Sequence, residues 1–228
     1  MGGMTDAFQQ FENKAGVTFK NRTLLTSAFT HRSYVNESGG GEHNERLEFL
    51  GDAVIELVVT HHLYTMYPAK TEGELTSYRA ALVNAVMLGG IAAGLGMNEC
   101  LLLSRGEQKD TGRARQTILA NTFEAVVGAL YLDQGYATAE AFIVQHVLGR
   151  LEEVVASGAW RDAKSAFQEK AQATSGVTPR YETVAATGPD HARQFTVELR
   201  VGDTLVATGE GASKQEAEQA AAEKALRA

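Results

Sequence analysis

The 228 residues predict an all-α domain followed by a small α+β domain of order α-β-β-β-α. Two observations carry that reading. Apolar residues recur at helical spacing as far as about Val155, whereas Gln194 to Val201 places Phe195, Val197 and Leu199 on alternate positions, the period of a strand. Between these regimes Ser157-Gly158-Ala159-Trp160-Arg161 interrupts the periodicity. The predicted division is therefore 1–156, a linker at 157–161, and 162–228, with a linker too short to let the parts wander far.

Taken in order, Asp6 to Lys14 reads as a helix with Phe8 and Phe11 on one side. Asn21 to Phe29 reads as another, with Leu24, Leu25 and Phe29 spaced for burial. Glu37 to Glu42, with three consecutive glycines, is a loop that delivers the chain into the next helix. That helix opens with Asn44-Glu45-Arg46-Leu47-Glu48-Phe49-Leu50-Gly51-Asp52-Ala53-Val54, continues past His61 and His62, and stops before Pro68. Adjacent histidines on a helix diverge by about 100°, which speaks against their sharing one metal. Thr71 is the expected N-cap of a helix beginning Glu72-Gly73-Glu74-Leu75-Thr76, whose acids complement the helix dipole.

From Ala80 to Asn98 no residue is charged, which raises the question of a membrane span. Asn84, Gly89, Gly90, Gly94 and Gly96, with Glu99 following, favour a buried helix ending in a glycine-rich turn. Leu103 to Arg115 sets Arg105, Lys109, Arg113 and Arg115 against Glu107 and Asp110 and is expected to be a mobile, mildly basic loop. An apolar helix from Ile118 to about Leu132 and a further helix near Thr138 to Val155 close the first domain. In the second, Ala163 to Thr174 is helical, and Arg180 to Ala186, Gln194 to Val201 and Thr204 to Glu210 are strands. Gly202-Asp203 forms a tight hairpin turn, and Ser213 caps a last, alanine-rich helix through Leu226.

Glu45, Glu48 and Asp52 stand at i, i+3 and i+7, within roughly 60° of one another on a helix. Leu47, Leu50, Val54 and Leu57 are expected on the opposite side, so the helix should be half-buried under a negative stripe. Acids crowded on one face repel, and either a basic partner or a hard, oxygen-seeking cation relieves them. A plain solvated acidic face is the alternative. The formal net charge of −7 argues against a generic nucleic-acid binder, because phosphate binding needs a local excess of cations. Acids that hold metal ions against phosphates weaken that objection.

The one cysteine, Cys100, excludes an internal disulfide framework and fits a reducing compartment. The opening Met-Gly-Gly-Met-Thr-Asp has neither the basic nor the apolar region of a secretion signal, and Asp6 stands where a myristoylation motif has Ser or Thr. The expected location is cytoplasmic.

The run from Asn44 to Val54 is very similar to the signature of the ribonuclease III family, and Thr30-His31-Arg32-Ser33-Tyr34 resembles a shorter family motif. Leu119-Ala120-Asn121-Thr122-Phe123-Glu124-Ala125 resembles the family's Leu-Ala-Asp-x-x-Glu-Ala, with asparagine where aspartate is usual. The resemblance implies Glu48, Asp52, Asn121 and Glu124 as the shell of a Mg²⁺ ion, with Mn²⁺ as a substitute. It also implies that Glu45 and Glu72 assist, so that Asp52, Glu124, Glu45 and Glu72 form the catalytic set. Lys109 would lie near the RNA backbone. Phe49 would be a contact between the two chains of a homodimer, although by position alone it reads equally well as core. His31 is given no catalytic role.

After the break, Lys164-Ser165-Ala166-Phe167-Gln168-Glu169, Gly188-Pro189-Asp190-His191 and Gly209-Glu210-Gly211-Ala212-Ser213-Lys214 resemble successive motifs of a double-stranded RNA-binding domain. That resemblance implies groove contacts from Gln168 and His191, and a phosphate held by Lys214 with the dipole of the last helix. Gln215 and Glu218 stand where the family commonly has lysines, and from Asp162 onward eight Lys/Arg face ten Asp/Glu, a net of −2.

Together the resemblances imply a Mg²⁺-dependent endoribonuclease that hydrolyses double-stranded RNA to 5′-phosphate and 3′-hydroxyl ends, as in ribosomal and messenger RNA processing. Two chains would pair so that each site cuts one strand and leaves short 3′ overhangs. Neither a membrane nor an organic cofactor is expected as a partner. The alternative is a double-stranded RNA-binding protein in which Asn121 marks a weakened or lost nuclease. A helical di-iron carboxylate protein would need Glu-x-x-His pairs, and the sequence has none.

Overall fold

In the computed structural model the helical part runs α1 (Gly2–Ala15), α2 (Arg22–Ala28), α3 (Arg32–Ser38), α4 (Glu45–Met66), α5 (Glu72–Val83), α6 (Ala85–Gly94), α7 (Arg113–Gln134), α8 (Tyr136–His146) and α9 (Leu151–Ser157). The structure describes residues 2–109, 111–158, 163–189 and 193–227. The chain divides into two units, Met1–Trp160 and Arg161–Ala228.

Helix α7 is the centre of the first unit. It buries Ile118 to Ala120, Thr122, Phe123 and every residue from Ala125 to Leu130, so neighbours cover most of its circumference. The buried Thr122 hydroxyl donates to the Ile118 carbonyl at 2.7 Å, which satisfies the one buried polar side chain in that stretch. Helix α4 lies directly against α7. A β-carbon on Gly51 would collide with the Glu124 carbonyl, and one on Gly128 would collide with the Leu47 carbonyl. Only glycine at both positions lets the two backbones come this close.

The buried stripe of α4 is Leu47, Gly51, Val54, Ile55, Val58, Val59 and Leu63. Leu57 does not join it and is 58% exposed, contrary to the expectation from spacing. The contact with α7 is made at Gly51, and the i+3 and i+4 positions that follow from it lead through Val54, Ile55 and Val58, leaving Leu57 beyond the edge. Ahead of α4, the glycines at 39, 40 and 41 all have positive φ, at 84°, 152° and 123°. No run of three side-chain-bearing residues would follow that path readily. The buried Asn44 then fixes the start of α4: its backbone N–H donates to the Thr30 carbonyl at 2.9 Å, and its amide to the Ala28 carbonyl at 3.2 Å.

Four other features differ from the sequence expectation, the first being that the helix expected near Thr138 to Val155 is divided into α8 and α9. Helix α3 forms where only a motif was read; His31 caps it, its Nδ1 accepting from the Ser33 N–H at 3.2 Å. The uncharged stretch from Ala80 is two helices rather than one, because Asn84 ends α5 and its Oδ1 accepts from the Met87 N–H at 2.9 Å to start α6. Among the described residues no single helix is long and apolar enough to cross a membrane. The segment before α7 is tied down rather than loose. Arg115 reaches the Asn98 side chain at 3.2 Å and the Glu107 carbonyl at 2.8 Å, and the Arg105 N–H donates to Glu37 at 2.9 Å.

The second unit is α10 (Ala163–Ser175), β1 (Arg180–Thr187), β2 (Gln194–Val201), β3 (Thr204–Gly211) and α11 (Lys214–Arg227). The strands form one antiparallel sheet in the order β1-β2-β3. A bulge falls between Thr183 and Ala185, leaving Val184 unpaired. Gly202, at φ 60°, makes the two-residue turn that joins Val201 to Thr204. Phe167, Ala171, Leu199, Ala221 and Ala222 form the core between helices and sheet. The alanines of α11 have a steric purpose: β-carbons at Gly209 or Gly211 would strike the backbone near Ala217, so this helix lies close on β3.

Candidate active site

The crossing of α4 over α7 brings the predicted acids together. Glu48 and Asp52 flank Gly51 on α4, while Asn121 and Glu124 are the facing residues of α7. Glu48 and Glu124 are half-buried and Asp52 is exposed, so the cluster opens to solvent on one side. Burial first, then the charges of Asp52 and Glu48, push the Glu124 carboxyl up to about 7. Glu48 is also raised, by burial and then by Glu45, with a smaller push from Asp52. A hydrogen bond from Asn121 opposes that rise. In the ion-free chain at neutral pH, Glu124 is therefore close to half-protonated.

Glu45 begins α4 and is held by a cation from outside the helix. Arg32 reaches it at 3.1 Å, and His43 stands 3.8 Å away. Arg32 belongs to the Thr-His-Arg-Ser-Tyr motif, and that membership was the available signal for its role.

Glu72 is not part of this cluster within one chain. It lines a pocket of about 690 Å³ with Thr60, Tyr64 and Arg79, and its carboxylate accepts from the Thr76 hydroxyl at 3.1 Å. Thr60 and Tyr64 lie two to three turns beyond Asp52, about 12–18 Å along α4. Glu72 is absent from the charges that act on Glu48 or Glu124. The capping box between Thr71 and Glu74 fixes the start of α5 there, so Glu72 follows α5 and not the acid stripe.

Phe49 is 81% exposed, which removes the core reading. Leu57 and Tyr64, 58% and 72% exposed, follow it along the same side of α4, all three within about 80°. Lys109 is exposed at the end of a single 3₁₀ turn, Glu107–Lys109. Gln168 is exposed on α10, and Lys214 is exposed as the first residue of α11. His191 lies outside the described residues.

The expected divergence of His61 and His62 does not hold. Their ring nitrogens and a Glu140 carboxylate oxygen lie within 4.8 Å of one another, because rotation about the side-chain bonds outweighs the difference in helical position.

The donor set of the acid cluster fits a hard divalent cation. Three carboxylates and one amide oxygen supply all-oxygen ligation, and a cation would offset both the burial and the mutual repulsion that raise Glu48 and Glu124.

A family profile described as Ribonuclease-III-like matches residues 21–151, and one described as double-stranded RNA binding motif matches 163–228. The chain is 44% identical over 220 residues to Ribonuclease 3 of Bdellovibrio bacteriovorus, spanning 96% of this chain and 94% of that protein. It is 41% identical over 228 residues to Ribonuclease 3 of Desulforamulus reducens, spanning 99% and 93%. The solved nuclease domain of ribonuclease III from Campylobacter jejuni superposes with a TM-score of 0.57 at 35% identity, covering 61% of this chain and 95% of that one. Fold and site together define a double-strand-specific endoribonuclease with an appended double-stranded RNA-binding motif. The chain belongs to the ribonuclease III family.

Proposed function

We propose that the endoribonuclease is Mg²⁺-dependent, releases 5′-phosphate and 3′-hydroxyl ends, and works as a cytoplasmic homodimer on ribosomal and messenger RNA precursors. The observation that carries the metal dependence is the convergence of Glu48, Asp52, Glu124 and Asn121, with the half-buried Glu48 and Glu124 both shifted upward. These four residues would hold Mg²⁺, or Mn²⁺ in its place. When bound, the ion supplies charge neutralisation at the phosphodiester and lowers the pKa of the attacking water.

The chain's own residues do the rest. Asn121 donates to Glu48 and favours its ionised form, against the burial and the Glu45 charge that push the other way. Arg32 orients Glu45 at the rim of the cluster, where its charge also acts on Glu48. Glu124, pushed up to about 7 without an ion, gives up its proton when a cation binds, which ties ion binding to pH. Lys109, Gln168 and Lys214 are exposed donors for the RNA backbone and groove.

Support for the homodimer comes from the exposed stripe of Phe49, Leu57 and Tyr64. It stands next to the pocket lined by Leu63, Tyr64 and Leu75, so one surface offers both a projection and a recess, as a two-fold interface needs. The Campylobacter jejuni nuclease domain is itself described as having a region involved in dimer formation.

The test is incubation of the full chain with long duplex RNA across a Mg²⁺ series, with mapping of product ends and measurement of mass in solution. Mg²⁺-dependent cutting to 5′-phosphate ends by a dimer is expected. Tight RNA binding with no cutting at any Mg²⁺ would instead support the binding-only reading that Asn121 raises.

A further inference from the structure

The C-terminal half of α4 carries a second cluster, and the acid site does not use it. His61 and His62 are consecutive on α4, and Glu140 is on α8, which packs against α4. One imidazole nitrogen from each histidine and one Glu140 oxygen lie within 4.8 Å of one another. The two rings are nearly perpendicular, at 86°, with centroids 5.9 Å apart. Two imidazoles that share a tetrahedral ion at a metal–nitrogen distance of about 2.05 Å have centroids about 5.3 Å apart. The pair therefore needs to close by only about half an ångström, within the reach of small side-chain rotations.

The tautomer is also set for ligation. Nδ1 of His62 lies 3.2 Å from the Val58 carbonyl oxygen. A carbonyl only accepts, so this nitrogen carries the proton in the neutral ring and leaves the Nε2 lone pair free. A backbone carbonyl behind one ring nitrogen is how ligating histidines are usually oriented. His61 is exposed while His62 and Glu140 are half-buried, so the cluster is accessible and has room for a solvent ligand. It is separate from the acid cluster: His61 and His62 follow Asp52 by nine and ten residues, about 14 Å along the helix. Its chemistry differs too. Two imidazole nitrogens and one carboxylate suit Zn²⁺ and its neighbours, whereas Mg²⁺ prefers oxygen alone.

We propose that His61, His62 and Glu140 form a binding site for a borderline divalent transition ion of the Zn²⁺ class, which clamps α4 to α8 independently of the acid site. Because α4 also carries the acids, such a clamp stiffens the helix that positions them. Nothing in this site requires the proposed Mg²⁺ dependence.

The test is Zn²⁺ titration of the full chain by calorimetry, with melting temperature followed alongside, in wild type and in a Glu48→Ala background that cripples the acid site. One Zn²⁺ per chain should bind in both. His61→Ala and Glu140→Gln should each weaken that binding by at least about tenfold, the scale on which loss of even an outer-shell partner acts. Because His61 is exposed, its alanine variant keeps the fold, and its melting temperature should no longer rise with Zn²⁺. Co²⁺ in place of Zn²⁺ should give the visible absorption of a four-coordinate ion in wild type and not in His62→Ala. The proposal is overturned if Zn²⁺ affinity is unchanged in His61→Ala and Glu140→Gln, or if saturable binding disappears with Glu48→Ala.

Discussion

At the scale of single residues, Asn121 has two opposing effects. Its neutral carbonyl oxygen gives a cation less attraction than a carboxylate would, while its amide hydrogen-bonds Glu48 and offsets part of the crowding. Asn121→Asp should therefore lower the Mg²⁺ needed for half-maximal cutting and lower the melting temperature of the ion-free protein. Parallel Mg²⁺ titrations and thermal melts check both, and equal Mg²⁺ requirements would place Asn121 outside the ion's reach. Glu124 gives a pH signature. Its folded pKa of about 7 lies above the ordinary 4.5, so its contribution to stability is fully present below about 4.5 and lost as pH rises through 7. After allowance for its partial exposure this is roughly 1–2 kcal/mol in the ion-free chain. Glu124→Gln should flatten that slope in melts taken from pH 5 to 8. Mg²⁺ must displace the same proton, so the Mg²⁺ requirement of wild type should rise as pH falls below 7. That Glu48, Asp52, Asn121 and Glu124 would come together was legible from motif and, for the pair on each helix, from spacing. The Arg32 grip on Glu45 was not legible from spacing, because a contact across 13 positions leaves no periodic trace; its motif was the one signal. The place of Glu72 was not legible either, because the turn between α4 and α5 sets it.

At the scale of elements, the active site depends on how closely α4 and α7 cross. Gly128→Ala would drive a methyl group into the Leu47 carbonyl and should destabilise the chain by about 1–3 kcal/mol. By moving Asn121 and Glu124 away from Glu48 and Asp52, it should also raise the Mg²⁺ requirement. Gly90→Ala is the control: it is in α6, exposed, with nothing within 4 Å of the added carbon, and should be neutral or stabilising by up to about 1 kcal/mol. Denaturant melts of the two variants distinguish a steric from a merely conformational role for Gly128; equal stabilities would contradict the close crossing. The helices and strands themselves were readable from period and caps, most clearly β2 with Phe195, Val197 and Leu199. Which face of α4 turns inward was misread at Leu57. A helix with acids on one side and an exposed apolar stripe beside them has no single hydrophobic direction, so spacing alone could not orient it.

At the scale of the whole molecule, the second unit is a duplex-RNA-binding fold in which several of the described cations are already engaged. Lys164 is paired with Glu218 at 2.5 Å, Arg200 with Glu198 at 2.8 Å, and Lys224 donates to the Thr208 carbonyl at 2.9 Å. Glu216 sits in the first turn of α11 beside Lys214, where a phosphate would be received. Affinity for duplex RNA should therefore fall only gently with salt, and a slope of the size expected for about eight phosphate contacts would contradict this view of the surface. A fragment ending at Trp160 keeps α4, α7 and the exposed stripe, and should still pair and cut RNA at low salt. The two-part order was plain in the sequence, from helical period to alternation. The depletion of charge was visible as well, but the pairing that occupies Lys164, Arg200 and Lys224 required the structure. If, as proposed, the cluster on α4 and α7 holds the ion used in cleavage, its acids are needed for cutting and not for RNA binding. The most direct test is cleavage of long duplex RNA by wild type and Asp52→Ala over a full Mg²⁺ titration, with RNA affinity measured on the same samples. Wild type should cut with saturable Mg²⁺ dependence, and Asp52→Ala should bind RNA equally well yet lose cutting by several orders of magnitude. Undiminished cutting by Asp52→Ala, or cutting by wild type in the presence of a chelator, would contradict the claim.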